Sequence, residues 1–211
     1  MTKKEKRPQG LGEEIGNCIT HGIGFLGSIA MFVLMLLKCN SWQSYLGVFL
    51  FSISMMMLYL FSTLYHAFKN GSKVKNLFKR FDHLSIYLLI AGTFAPILLV
   101  GVNSKLGYIM FGAQWILTMF GIVSKVLWPH KYNKFHVAMF LIIGWSGLLL
   151  LPDIYKINPN LIWFILLGGI SYSIGVVFYS ISKVKYFHFI WHFWVLFGTI
   201  LHFFGIYLYI L

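Results

Sequence analysis

Seven long apolar runs are the feature that most restricts what this chain can fold into. Each run is close to the roughly 20 apolar residues that a helix needs to cross a bilayer. Only 10% of the 211 residues are charged and 59% are apolar, so the chain has too few charges to cover a water-soluble globule. The sequence therefore predicts an all-α integral membrane bundle of seven helices. The runs cover approximately 16–37, 44–68, 82–101, 106–127, 135–151, 160–182 and 187–210.

These seven predicted spans leave little room for anything else. Seven helices take roughly 140 residues and leave about 70 for loops and tails, which predicts one membrane domain over residues 13–211 after a basic tail over 1–12. The first run is too long for a signal peptide and no small-residue cleavage site ends it, so we expect it to be an uncleaved span. Pro96 is expected to kink the third span, and the fifth run, the shortest, ends at Pro152.

Basic residues predict the direction of the chain through the membrane. Lysine and arginine are concentrated in the N-terminal tail and in every second connection, with fourteen on one side and three on the other. Cytoplasmic loops carry this excess, so the N-terminus is predicted to be cytoplasmic and the C-terminus external. The fourteen are Lys3, Lys4, Lys6, Arg7, Lys69, Lys73, Lys75, Lys79, Arg80, Lys125, Lys131, Lys134, Lys183 and Lys185; the three are Lys38, Lys105 and Lys156.

The same charge pattern indicates the partners of the chain. A net charge of +12 would suggest nucleic acid in a soluble protein, but here the charges lie in short loops between spans. We therefore expect membrane lipids, including anionic headgroups, as partners and no nucleic acid. The predicted location is the plasma membrane.

Histidines cluster on one face of the predicted bundle. With the alternation of spans, seven of the eight lie near the basic side, and only His202 lies deeper toward the other side. Ionisable groups inside a membrane are costly and usually functional. His83, His130 and His136 are interpreted as interfacial residues, and the role of His202 is left open.

Two pairs of polar residues have the spacing of a metal site. His188 and His192 are four residues apart, and so are Ser62 and His66. Residues at this spacing share a helix face, and two imidazoles so placed can bind one metal ion. Three histidines with an open fourth position make a catalytic zinc geometry. Taken singly, the histidines also fit interfacial hydrogen bonding, and Ser62 fits helix packing.

The remaining polar residues on this face each have two interpretations. Asp82, at the predicted start of the third span, either caps the helix N-terminus or accepts a proton from water at a metal. Glu14, Asn17 and His21 form one stripe at the start of the first span. This stripe is either a polar seam that holds the span against its neighbours or support for a metal site.

Four segments together carry a family resemblance. They are Glu14-Ile-Gly-Asn17-Cys-Ile-Thr-His21-Gly, Ser62-Thr-Leu-Tyr-His66, Phe81-Asp82-His83 and His188-Phe-Ile-Trp-His192. In this order and spacing, the chain resembles the hemolysin III family, within the wider progestin and adipoQ receptor group of seven-span proteins. The resemblance covers essentially the whole chain.

The resemblance implies a zinc site on the cytoplasmic face. Carried over residue by residue, it implies that His66, His188 and His192 are zinc ligands. Asp82 is then the carboxylate that polarises water at the zinc ion, and Ser62 is a supporting hydroxyl. The long N-terminal region of the eukaryotic receptors is missing here, which argues against a hormone-binding role.

Three functions are compatible with such a site. The first is a zinc-dependent hydrolase of a lipid amide or ester, because the wider group is similar to alkaline ceramidases in these residues. The second is a pore-forming haemolysin, which the family name implies, although no span has a polar stripe wide enough for a channel. The third is a lipid or metal sensor without catalysis. The zinc site is common to all three and does not discriminate between them.

Overall fold

The computed structural model describes residues 9–128, 133–181 and 183–211, and these residues form an all-helical bundle. No strand occurs within these three ranges. The helices are α1 (Leu11–Leu36), α2 (Trp42–Ala67), α3 (Lys73–Pro96), α4 (Lys105–Leu127), α5 (Asn133–Trp145), α6 (Leu151–Ile157), α7 (Pro159–Ser180) and α8 (Phe187–Tyr209). A π-helical segment, Ile97–Val102, continues α3, and a 3-10 segment, Ser146–Leu150, joins α5 to α6.

These helices make seven spans, as the apolar runs predict. Across the described ranges, seven helical stretches are long and apolar enough to cross a membrane. The third span combines α3 with the π-helical segment, and the fifth combines α5, the 3-10 segment and α6. The direction of the chain across the membrane stays a prediction.

The third and fifth spans extend furthest beyond their apolar runs. The third helix begins at Lys73 rather than near residue 82, because Ser72 caps it by accepting a hydrogen bond from the Lys75 amide at 3.1 Å. The fifth span does not end at Pro152, so that prediction is wrong. Pro152 lies in the first turn of α6, where its missing N–H costs the helix nothing.

The third span is the centre of the bundle. Of its most apolar stretch, 67% is buried inside the protein, against 22% for α4 and 28% for α1. The helices with low burial present apolar side chains outward, as expected of surfaces that face lipid. The buried core lies between α2, α3, α7 and α8 and includes Phe51, Leu58, Trp191 and Phe203.

One close helix contact positions α1 for the site. A Cβ atom on Gly24 would lie 2.8 Å from the Tyr59 ring, so glycine lets α1 approach α2 closely. Small residues at such contacts are typical of helix packing in membranes. The contact brings His21, one turn earlier on α1, edge-on to the Tyr59 ring at 5.1 Å between centroids. We call the end of the bundle where α2 ends and α1, α3 and α8 begin the histidine end.

Candidate metal centre

Three histidines from two helices converge at the histidine end. His66 is in the last turn of α2, and His188 and His192 are in the first turns of α8. One ring nitrogen from each lies within 4.8 Å of the others. The three ring centroids are 4.9 to 5.2 Å apart, which makes an almost regular triangle. The four-residue spacing places the two α8 histidines on one face, and α2 supplies the third.

Burial and hydrogen bonding leave nitrogen lone pairs directed at this cluster. His66 is 3% exposed and His192 is fully buried. His66 Nδ1 lies 2.7 Å from Glu14 Oε2, so Nδ1 carries the proton and Nε2 presents its lone pair. His66 Nε2 lies 3.3 Å from His188 Nε2. Neither ring nitrogen of His192 has a hydrogen-bond partner of normal geometry among the described residues, which is a costly arrangement for a buried imidazole.

This arrangement fits a metal ion. Three neutral imidazoles at mutual distances below 5 Å are the donor set that zinc and some other transition metals take. The unpaired His192 nitrogens are the groups that coordination would satisfy. The geometry supports a metal site, and the choice of zinc stays a prediction.

Asp82 and Ser62 lie close to each other and are not part of the ligand group. Both are buried, at 3% and 0% exposure, and the hydroxyl interacts electrostatically with the carboxylate. Asp82 Oδ1 and Ser62 Oγ have no hydrogen-bond partner of normal geometry. The capping interpretation of Asp82 is wrong, because it lies nine residues inside α3, which Ser72 caps. Their predicted catalytic roles stay predictions.

The stripe on α1 reaches the histidine cluster. Glu14, Asn17 and His21 are all buried. Asn17 Nδ2 donates to Gln9 Oε1 at 3.1 Å and lies 3.4 Å from His66 Nδ1. The His21 ring stacks on His192 with 3.6 Å between centroids and 16° between planes. The structure thus brings each stripe residue into contact with a predicted ligand.

Lys75 is a site residue that sequence reasoning did not identify. The sequence places it among the loop lysines that set topology, but it lies in the first turn of α3 and is 5% exposed. Its Nζ donates to Glu14 Oε1 at 2.9 Å and to the Phe68 carbonyl at 3.1 Å. It also lies 4.8 Å from the centre of the Tyr65 ring. No local pattern marks Lys75, since its partners are on α1 and α2.

His83, His136 and His202 are not part of the ligand group. His83 is half-buried on α3, and His130 lies outside the described residues. His136 is buried, with its Nδ1 2.8 Å from the Tyr87 hydroxyl, and its position at the membrane interface stays a prediction. His202 is 7% exposed, and its Nδ1 has no hydrogen-bond partner.

Two cavities adjoin the cluster. An apolar cavity of about 110 Å³ lies between α3, α5, α7 and α8 and extends from Trp191 to His202. A polar cavity of about 250 Å³, which we call the vestibule, opens at the histidine end. Tyr179 lines both, and its ring lies 6.2 Å from that of His188. The vestibule walls include Glu13, Glu14, Lys75, Lys79, His83 and His188.

Comparison with known proteins identifies the family. The sequence profile described as "Haemolysin-III related" matches residues 9–203, which include every residue of the cluster and its surroundings. The chain belongs to this family. The resemblance predicted from the four segments is thereby confirmed.

Named relatives agree with this assignment. The haemolysin-III-related chain is 36% identical to "Hemolysin-3" of Bacillus cereus over 216 residues, covering 100% of this chain and 98% of the relative. It is 35% identical to the "Hemolysin-3 homolog" of Bacillus subtilis, covering 93% and 94%. It is also 25% identical to the "ADIPOR-like receptor IZH2" of Saccharomyces cerevisiae, covering 81% of this chain and 59% of the relative. The wider adipoQ receptor group is thus supported as well.

Proposed function

We propose that this protein is a zinc-dependent hydrolase of a membrane lipid amide or ester. The observation that carries the proposal is the convergence of three imidazoles where an apolar cavity meets a polar one. Zinc held by three histidines lowers the pKa of a water at its open position to about 7 and polarises a carbonyl. His66, His188 and His192 would hold the ion.

The neighbouring side chains supply the other functions that hydrolysis needs. Glu14 accepts the Nδ1 proton of His66 and keeps Nε2 of that ring directed at the cluster. Asp82 has an unpaired buried oxygen, Oδ1, that can accept a proton from the attacking water. The Ser62 hydroxyl, one turn before His66, is close enough to interact with that carboxylate. General acid–base groups of this kind contribute about 10²–10⁴-fold to rate.

The cavities support a lipid substrate over a soluble one. The apolar cavity is lined almost entirely by side chains such as Leu58, Ile86 and Phe140, which match a hydrocarbon chain. The vestibule offers polar groups for a headgroup. A lipid with its hydrocarbon chain in the apolar cavity and its headgroup in the vestibule would have its amide or ester bond next to His188.

Two measurements on one preparation test this function. Protein purified without a nickel column is analysed for metal and then incubated with dye-filled vesicles that contain ceramide and phospholipid. We expect about one zinc per chain and new fatty acid in the mass spectrum of the lipids. The double variant His188→Ala, His192→Ala should lose both, while His83→Gln, which changes a histidine outside the cluster, should keep its zinc.

Other outcomes would favour the competing functions. Dye release without lipid products would favour lysis, the activity in the printed name of the Bacillus cereus relative. Zinc binding without products or leakage would favour a sensor. Normal zinc in the double variant would exclude this metal site altogether.

A further inference from the structure

The vestibule has a chemistry of its own beside the histidine cluster. It is a polar cavity of about 250 Å³ that shares His188 with the cluster and Tyr179 with the apolar cavity. Its wall contains two carboxylates and two lysines. Which of these charges can receive a ligand depends on which already have partners.

Both carboxylates of the vestibule are engaged within the protein. Glu13 Oε1 accepts a hydrogen bond from the Tyr186 amide at 2.7 Å, and Oε2 accepts one from the Gly10 amide at 2.9 Å. Glu14 Oε2 accepts from His66 Nδ1 at 2.7 Å, and Oε1 accepts from Lys75 Nζ at 2.9 Å. All four oxygens, and the Lys75 ammonium with them, are committed to internal partners.

Lys79 is the charged group of the vestibule that lacks such a partner. Its side chain is exposed, and its ammonium group makes no hydrogen bond or ion pair with any part of the chain that the structure describes; its backbone carbonyl is bonded to His83 Nδ1. It interacts electrostatically with the buried Asp82, almost a turn further along α3. The stretch 68–81 that surrounds it carries five basic residues and no acidic one. Field lines from these charges concentrate in a cavity with low-dielectric walls.

We propose that the vestibule binds the phosphate of an anionic lipid headgroup, with Lys79 as the cation that contacts it. A lysine ammonium is a compact charge that binds phosphate well. The asparagine side chains of Asn70 and Asn76, which also line the vestibule, add neutral hydrogen-bond donors. The adjoining apolar cavity favours a phosphate attached to a hydrocarbon chain over a free phosphate.

This binding site sets the substrate class of the proposed hydrolase. A phosphate in the vestibule and a chain in the apolar cavity place the glycerol ester between them, beside His188. The substrate is then a phosphate-bearing lipid rather than an uncharged ceramide or diacylglycerol. This substrate class rests on the proposed hydrolase function, whereas phosphate binding in the vestibule does not.

Binding to four small probes tests the proposal without any turnover. The purified full-length protein in uncharged detergent is titrated with dioctanoyl phosphatidic acid, dioctanoylglycerol, glycerol 3-phosphate and inorganic phosphate. We expect phosphatidic acid to bind most tightly and to bind less tightly as salt increases, because the contact is between charges. Equal affinity for phosphatidic acid and dioctanoylglycerol, or no effect of salt, would overturn the proposal.

Substitution of one lysine locates the contact. Lys79→Gln should weaken phosphatidic acid binding about fivefold, the size expected of one partly exposed charged contact, and Lys79→Arg should restore it. The matched control is Lys73→Gln, an exposed lysine on the same helix that does not line the vestibule. An equal loss in both glutamine variants would show that only the general charge of this face attracts the lipid, and the vestibule would be excluded.

Measurements of lipid binding and of lipid hydrolysis together distinguish the phosphate site from the proposed enzyme activity. Selective phosphatidic acid binding without any hydrolysis would keep the phosphate site and remove the enzyme. Hydrolysis of ceramide at the rate of phosphatidic acid, with no loss in Lys79→Gln, would keep the enzyme and remove the phosphate site. Tighter binding of free inorganic phosphate than of phosphatidic acid would contradict the lipid as the source of the phosphate.

Discussion

At the residue scale, the site depends on which atom of each side chain faces the cluster. The four-residue spacings predict that His188 and His192 share a face and that Ser62 lies over His66. They do not predict that Glu14 takes the Nδ1 proton of His66, because those residues are 52 positions apart in the chain. Local spacing therefore identifies the candidate ligands, and only the packing of helices reveals what orients them.

Asp82→Asn tests whether this carboxylate takes part in chemistry or only in structure. The asparagine keeps the shape of the side chain but cannot act as a base, so hydrolysis should fall about 10²–10⁴-fold. The zinc content should stay near that of the unchanged protein, since Asp82 is outside the ligand group. The measurements are lipid turnover and metal analysis on the same sample.

Asp153→Asn is the matched control for this substitution. Asp153 lies in α6 and pairs only with Lys156, at 3.3 Å, so its activity should not change. Full activity in Asp82→Asn would require another base. Loss of zinc together with activity would make Asp82 a ligand.

At the scale of helices, apolar length predicts where spans lie but not where helices begin. The first nine residues of α3, 73–81, include four basic residues, so hydropathy assigns them to a loop. They are helical because Ser72 caps the helix and Lys75 finds partners on other helices. Similarly, α1 contributes more to the site than its low overall burial suggests. Its polar stripe is the part that is buried.

Glu14→Gln tests how α1 supports the metal site. The amide loses the charge that holds the His66 proton and also loses the ion pair with Lys75. Removal of such a hydrogen-bonded carboxylate typically weakens metal binding about 10–100-fold. Zinc affinity is measured by competition with a chelator of known affinity, alongside the melting temperature.

Glu13→Gln provides the comparison at the adjacent position. Each carboxylate oxygen of Glu13 accepts a hydrogen bond from one backbone amide, that of Tyr186 or that of Gly10. A glutamine keeps one of these bonds through its oxygen, and neither bond involves His66. Its zinc affinity should therefore be unchanged. A Glu14→Gln protein that melts earlier but binds zinc as tightly as before would show that the stripe is only a packing seam.

At the scale of the whole molecule, the seven-span bundle is predictable because each span must make its backbone hydrogen bonds within its own helix when it crosses lipid. The alternation of basic loops also predicts the orientation of the chain across the membrane, which the arrangement of helices does not by itself reveal. The start of α1, the end of α2 and the starts of α3 and α8 meet at one end because an even number of spans separates them along the chain. The two cavities do not follow from the sequence, since they depend on how side chains from four helices fit together.

Reporter fusions test the predicted direction. A reporter inserted at Gly71, which lies in an exposed turn with a φ of 83°, should report the cytoplasm. One fused after Leu211 should report the outside. Detection of both on the same side would contradict the odd number of spans, and exchanged sides would place the histidine end outside the cell.

The depth of the cluster has a consequence for how a lipid would meet it. His66 is one residue from the end of α2 and His188 is the second residue of α8. In α3, by contrast, nine residues, or about 13 Å of helix, precede Asp82. We therefore expect the cluster to lie at the level where spans leave the hydrocarbon, close to the glycerol backbone of the surrounding lipids. The depth of a lipid bond in the membrane then decides whether that bond meets the site. Bonds at that level reach the histidines while the lipid stays in its leaflet, and bonds deep in the acyl chains do not. A thicker or thinner membrane would shift which bond is presented.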